Sequence, residues 1–263
     1  MLRIFIASLL SAISLMAHAD LLDTIKTRGV LIVGILPDNP PFARRNDNQT
    51  FSGYDIDYAS LIAKKMGVTL KVQDLDPGER ITSLKSGKVD ILVAAFTKTP
   101  EREREVSCSL GYFVAAQKAL TRKGRFTTSE SLTNARLGAS KGTTGESVSR
   151  KLYPKASMTT FADIPDATRA LEQGNIDAVM NDEPTLAAAL NKMPNKSQYE
   201  ISNYTNTTEI LAVATKLGEK RLMNLINESL VESEQNGEAV QIFNRWFGPH
   251  TNTPFPRTFR IQN

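Results

Sequence analysis

The sequence predicts an α/β protein of two similar lobes, each a mostly parallel sheet flanked by helices. Three observations carry this. Apolar runs of strand length alternate with stretches of helical period, as in sheets covered on both faces. Leu84-Lys-Ser-Gly87-Lys-Val-Asp90-Ile-Leu returns 87 residues later as Leu171-Glu-Gln-Gly174-Asn-Ile-Asp177-Ala-Val. That spacing is too long for a solenoid and suggests two related lobes, although helix–Gly–strand joints are also reused by chance in this fold class. Finally, 263 residues suit one large domain or two small ones, and 41% apolar with 23% charged residues is a globular balance.

The elements follow in order. Met1 to Ala19 has a basic start at Arg3, an uncharged apolar stretch and a small-x-small end, Ala17-His18-Ala19. This reads as a cleaved signal peptide, too short to span a bilayer. No Cys follows the cleavage point, so no lipid anchor is expected there, and an unanchored exported chain points to a Gram-negative periplasm. Val30 to Ile35 is a strand buried on both faces, and Pro37, Pro40 and Pro41 stiffen the loop after it. Asn46 to Ser52 is polar and turn-like. Asp55 to Gly67 is a helix with Ile56, Ala59, Ile62, Ala63 and Met66 on one face and a glycine stop. Leu70 and Val72 mark a strand. Arg80 to Lys85 is a short helix closed by Gly87, and Val89 to Ala95 is a third buried strand. Tyr112 to Arg122 runs extended out of the first lobe. Leu137 to Ser140 and Leu211 to Thr215 are strands, and Leu222 to Glu234 is a helix. Phe243, Trp246 and Phe247 read as core.

Several functions are excluded early. A net charge of +4 is too small to argue for nucleic acid. His18 and His250 are the two histidines, so neither a histidine triad nor a multi-histidine zinc site can be built. The one cysteine, Cys108, rules out an internal disulfide and reads as a small buried hydrophobe. No cofactor or metal is expected.

In open α/β sheets ligands bind beyond the carboxyl ends of the strands. Three such ends carry chemistry. Thr97 and Arg102 follow one strand, and a guanidinium grips both oxygens of a carboxylate. Lys141 to Ser147 follows another, with Thr143 as an N-cap and free N–H groups beyond it that favour an anion. Its Lys-Gly-Thr order is not a Walker loop. Asp182 ends a third and suits an ammonium group, although the Pro184 beyond it also fits a plain helix cap. An anion grip and a cation grip together are what a zwitterionic amino acid needs.

The chain resembles the polar amino-acid family of periplasmic solute-binding proteins. The motifs are Gly53-Tyr54-Asp55-Ile56-Asp57 with its helix, Leu84 to Asp90, Thr97 to Arg102, Ser109 to Phe113, Gly142-Thr143-Thr144 and Trp246-Phe247-Gly248. The resemblance implies a periplasmic-binding-protein fold whose two lobes are joined by two hinge strands. The lobes would be residues 20–113 plus 211–263, and 114–210. It implies that Arg102, Thr97 and the Thr144 backbone hold the ligand carboxylate and Asp182 the amino group. It also implies an ABC permease and ATPase as partners, and a monomer is expected.

Departures from the family bear on the ligand. Asn39 stands where an aromatic ring often stacks on the ligand, Ala95 where a hydroxyl is common, and Leu36 where basic-ligand binders carry an acid. Glu79-Arg80-Ile81 looks like the segment of acidic amino-acid binders, which makes glutamate, aspartate or glutamine the expected ligand. Two other functions fit the same scaffold. One is a periplasmic dehydratase with Glu146 or Glu183 as general acid, and the other is a ligand-sensing partner of a membrane receptor.

Overall fold

The computed structural model describes residues 20–262, so the expected signal segment lies outside the described residues. The first lobe begins with α1 (Leu21–Arg28), β1 (Val30–Ile35), the short strands β2 (Asp38–Asn39), β3 (Ala43–Arg45) and β4 (Phe51–Ser52), α2 (Tyr54–Met66) and β5 (Thr69–Asp74). It continues with α3 (Arg80–Ser86), β6 (Ile91–Leu92) and α4 (Pro100–Glu103). The long β7 (Val106–Arg122) leads into β8 (Arg136–Ser140), α5 (Thr144–Leu152), β9 (Ser157–Phe161), α6 (Ile164–Glu172), β10 (Ala178–Asp182), α7 (Glu183–Lys192) and β11 (Tyr199–Ile201). The chain returns through β12 (Thr207–Lys216) to α8 (Lys220–Gln235) and α9 (Glu238–Phe247).

The strands run β5-β1-β6-β12-β7-β10-β8-β9, with β11 beside β7. The outer strands on each side are parallel to one another, and β7 and β12 are antiparallel to their neighbours. β7 has 17 residues, about three times an ordinary strand, because it serves both lobes. It pairs with β12 from Val106↔Lys216 to Gln117↔Thr207, with irregular register around Ala212. Two crossing strands thus join two lobes.

The repeated motif has a physical basis. Gly87 and Gly174 both take left-handed backbone, at φ 81° and 76°, a conformation that favours glycine at a helix end. Asp90 then accepts the Ile32 N–H at 2.7 Å and pairs with Arg28. Asp177 accepts the Arg136 N–H at 2.9 Å and pairs with Arg136 and Arg125. Each aspartate stitches the start of its strand to the neighbouring parallel strand.

Each lobe has its own core. The first is aromatic: Phe113 lies 4.8 Å from Phe247, 5.1 Å from Phe42 and 5.4 Å from Tyr54, ring centre to ring centre. The tail beyond α9 returns to this core through Phe255, Phe259 and Ile261, fastened where Arg257 forks onto Glu234. The second packs Leu120, Leu171, Val179 and Leu186 on one sheet face and Leu132, Leu137 and Met180 on the other. None of the described helices is long and apolar enough to cross a membrane.

Some expectations need correcting. Ordered ladder geometry in the third strand is confined to Ile91–Leu92 rather than Val89 to Ala95, because Ala95 turns to φ 42° and its N–H leaves the sheet for Asp55. β12 begins at Thr207 and β7 at Val106, both earlier than their apolar runs, because polar residues of the hinge share the ladder. Trp246 is half-buried and donates its indole N–H to Asp57 at 2.7 Å, while Phe243 and Phe247 are core. Cys108 is half-buried, and burial first of all pushes its thiol up to about 11, which makes it unreactive.

Candidate functional site

The site is built from three strand ends and the hinge. On the first lobe, Asp55 opens α2 and is fully buried. Its carboxylate accepts the Ala95 N–H at 2.8 Å and the Tyr112 hydroxyl at 2.6 Å. Burial raises its pKa to about 6 against these two hydrogen bonds. A raised carboxyl favours the folded state while protonated, so its contribution is lost as pH rises from about 4 through about 6. Asp55→Asn is therefore expected to lose less melting temperature than the wild type between pH 5 and pH 7. Parallel pH dependence of the two melting curves would refute this.

Ala95 is held in the left-handed region, where strain is characteristic of functional sites. Thr99 then caps α4 by accepting the Arg102 N–H, with Pro100 at the first helical position. This four-residue turn projects Arg102 into the cleft. Its guanidinium donates to the Thr97 carbonyl at 2.9 Å and to the Gly142 carbonyl at 3.1 Å, and lies 4.4 Å from the Phe96 ring centre. Arg80 is 3% exposed. It donates to the carbonyls of Pro77, Ala94 and Gly142 at 3.0, 3.0 and 3.3 Å. Burial, then the Arg102 charge, lowers Arg80 to about 9, still cationic at neutral pH. Both arginines thus reach across to one carbonyl of the other lobe.

On the second lobe the chain turns at Gly142 (φ 77°) into α5. Thr143 occupies the N-cap position, but its hydroxyl donates to the Ser140 carbonyl at 2.6 Å instead of capping. Glu146 reaches back to the Gly142 N–H at 2.9 Å and also binds Arg150. Asp182 ends β10 at the N-cap of α7 and makes no capping hydrogen bond. Its carboxyl faces the cleft and is pushed well above the usual carboxylate range by burial and then by Glu209 beside it, against Arg80 and Arg102. Asn39, from the first lobe, accepts the Thr185 hydroxyl of α7 at 2.9 Å.

The structure brings Arg102, Thr97, Thr144, Asp182, Arg80, Asn39 and Ala95 to the wall of one cavity between the lobes. Leu36 and Asp38 line it too. Its volume is about 100 Å³, room for several water-sized groups at about 10–15 Å³ each, which suits a free amino acid rather than a peptide. Neither Glu146 nor Glu183 lines it, and Glu183 is paired with Lys118 at 2.9 Å.

Sequence reasoning expected the hinge strands but missed the carboxylate on one of them. Glu209, on β12, is 3% exposed. It accepts the Thr144 and Thr97 hydroxyls at 2.7 and 2.8 Å and the Gln117 side-chain amide at 2.9 Å. One carboxylate thereby ties together both lobes and both hinge strands. A signal was present: Leu211 faces the core, so the two-residue strand period turns Glu209 inward and Ile210 outward. Ile210 is indeed 46% exposed.

Comparison with known proteins bears on this geometry. A model of the bacterial extracellular solute-binding proteins, family 3, matches residues 31–249. The L-cystine-binding protein TcyJ of Escherichia coli is 25% identical over 253 residues, 94% of either chain. The ABC transporter glutamine-binding protein GlnH of Bacillus subtilis is 32% identical over 233 residues, 86% of this chain and 84% of that one. A crystal structure of a mutant ArgBP from T. maritima superposes with a TM-score of 0.81 at 33% identity, covering 86% of this chain and 99% of the other.

Proposed function

The chain belongs to the bacterial extracellular solute-binding proteins, family 3, and from that premise we propose that it is the periplasmic receptor of an ABC importer for a free acidic or polar amino acid. Glutamate, aspartate and glutamine are the favoured ligands. The carrying observation is that Arg102 and Asp182 stand on different lobes of one cavity. Arg102 takes the ligand carboxylate with Thr97 and the α5 N-terminus, and Asp182 takes the ammonium group. Arg80 keeps two of its five N–H donors after its three backbone bonds, enough for a side-chain carboxylate or amide. Asn39 clasps the lobes by accepting the Thr185 hydroxyl.

The lobes divide at 113/114 and 210/211, between Phe113 and Leu211 of the first core and Leu120 of the second, with Ala115 just past the boundary still packed on the first core, and close by hinge motion of β7 and β12. Export through a cleaved Met1–Ala19 segment delivers the protein to the permease and ATPase. The dehydratase reading gains nothing from the geometry, because neither Glu146 nor Glu183 lines the cavity and the two are paired with Arg150 and Lys118. A sensing role would use the same site with a different partner.

The test is the melting temperature of refolded, ligand-free protein against each of the twenty amino acids. A ligand at ~100 times its dissociation constant stabilises by about 2.7 kcal/mol. A rise with glutamate, aspartate or glutamine is expected. A rise with another amino acid alone would remove the selector role of Arg80, and no rise with any would overturn the receptor reading.

A further inference from the structure

We propose that the hydrogen bond between Asn39 and Thr185 is a partition that limits the length of ligand side chain the cleft accepts, and that behind it lies a second, apolar subsite able to take the tail of a longer amino acid. This rests on the reading of the cleft as an amino-acid site and adds a length limit that the reading does not contain. Asn39 lines the ligand cavity and Thr185 does not, whereas Thr185 lines a second cavity and Asn39 does not. The Thr185 hydroxyl donates to the Asn39 side-chain oxygen at 2.9 Å, so the bond runs from the wall of one cavity to the wall of the other. Asp38 and Ile164 belong to both walls. A side chain leaving the first cavity on this side meets the Asn39–Thr185 bond.

The second cavity follows from the spacing of short side chains. Thr185, Ala188 and Ala189 share one face of α7, and Ile164, Pro165 and Thr168 share one face of α6, three and four residues apart. These faces leave a groove of about 210 Å³, with Asp38 and Pro40 of the first lobe on its other side. Its wall is mainly apolar, which suits an alkyl or aryl tail rather than a second charged head. The partition is held on both sides. The Asn39 carbonyl accepts the Phe42 N–H at 3.0 Å, and Asn39 pairs with Ala43 in the β2–β3 ladder. Thr185 is buried in the first turn of α7, next to Pro184. Pushing the two apart strips a buried hydroxyl of its partner, so the wild type rejects the tail.

The experiment is titration calorimetry with whichever of L-glutamate, L-aspartate and L-glutamine binds, as parent, and with its side-chain ethyl and benzyl derivatives as probes. These are the side-chain esters of the two acids or side-chain N-substituted glutamines. The ratio of probe affinity to parent affinity is compared between proteins, so the charge lost on esterification cancels. In Asn39→Ala and in Thr185→Ala this ratio is expected to rise at least about tenfold over the wild type, the worth of one methylene admitted to a pocket. Thr185→Ser keeps the hydroxyl and should stay within about threefold of the wild type. Ala188→Leu, added to Asn39→Ala, fills the second cavity and should cancel the gain for the benzyl probe. A merely structural role for the two residues would weaken parent and probe alike and leave the ratio unmoved, and that result overturns the proposal. So does a gain that survives Ala188→Leu. A wild type that binds the benzyl probe as tightly as the parent overturns it whether or not any variant folds. Failure of all three parents to bind overturns the amino-acid reading itself.

Discussion

Arg102→Ala is expected to abolish ligand binding in any practical assay. Removing one partner of a desolvated, charge-assisted contact costs about 2–5 kcal/mol, or roughly 30- to 4,000-fold in affinity. Here the loss is compounded. Arg102 also donates to Gly142 across the cleft, so the variant gives up part of the closed contact along with the carboxylate grip. The empty protein should change little, because Arg102 lies on a four-residue turn outside the core clusters. Arg102→Lys should recover only part of the affinity, since an ammonium group restores the charge without the fork. Calorimetry with the amino acid found in the melting screen decides this. Affinity within threefold of wild type for Arg102→Ala would remove the residue from the site.

Gly142→Ala is expected to weaken binding at least tenfold while leaving the empty protein folded. A Cβ at Gly142 would lie 2.7 Å from Gly78 Cα and 3.2 Å from Gly78 N, both on the opposing lobe. Backbone against backbone cannot give, so the lobes are stopped short of closure. The substitution also carries strain, because φ is 77° and a left-handed alanine costs about 1–2 kcal/mol. Gly174→Ala separates the two effects. Its φ is 76°, with open space where the Cβ would sit. Both variants should lose similar melting temperature, about 2–4 °C for each kcal/mol in a protein of this size, and only Gly142→Ala should lose affinity. Equal affinities in the two variants would mean that closure does not bring Gly142 to Gly78.

The chain's own pattern was sufficient for much of this. Continuous apolar runs, the helical period of Ile56 to Met66 and the repeated Gly-x-x-Asp joint specify two α/β lobes, because a buried sheet and an amphipathic helix leave period signals that survive in one dimension. Strand-end chemistry pointed to Thr97, Arg102, the Lys141 to Ser147 turn and Asp182, since ligands of such sheets meet the carboxyl ends. Thr144, Arg80, Asn39 and Ala95 came from family likeness, and all seven named site residues line one cavity.

Tertiary structure decided the rest. Sequence set the residue types at the strand ends, but only folding decided which residues share a buried cluster. Glu209 lies 112 residues from Thr97 and 65 from Thr144, yet one of its oxygens binds both hydroxyls. Arg80 and Arg102 meet at the Gly142 carbonyl only when the lobes are together. Such long-range pairings carry no period. The charge of a buried carboxyl depends on which donors and charges surround it in space: burial and then Glu209, 27 residues away in sequence, push the Asp182 carboxyl up. Local order was written along the chain, and the electrostatics of the cleft arose where distant segments closed on each other.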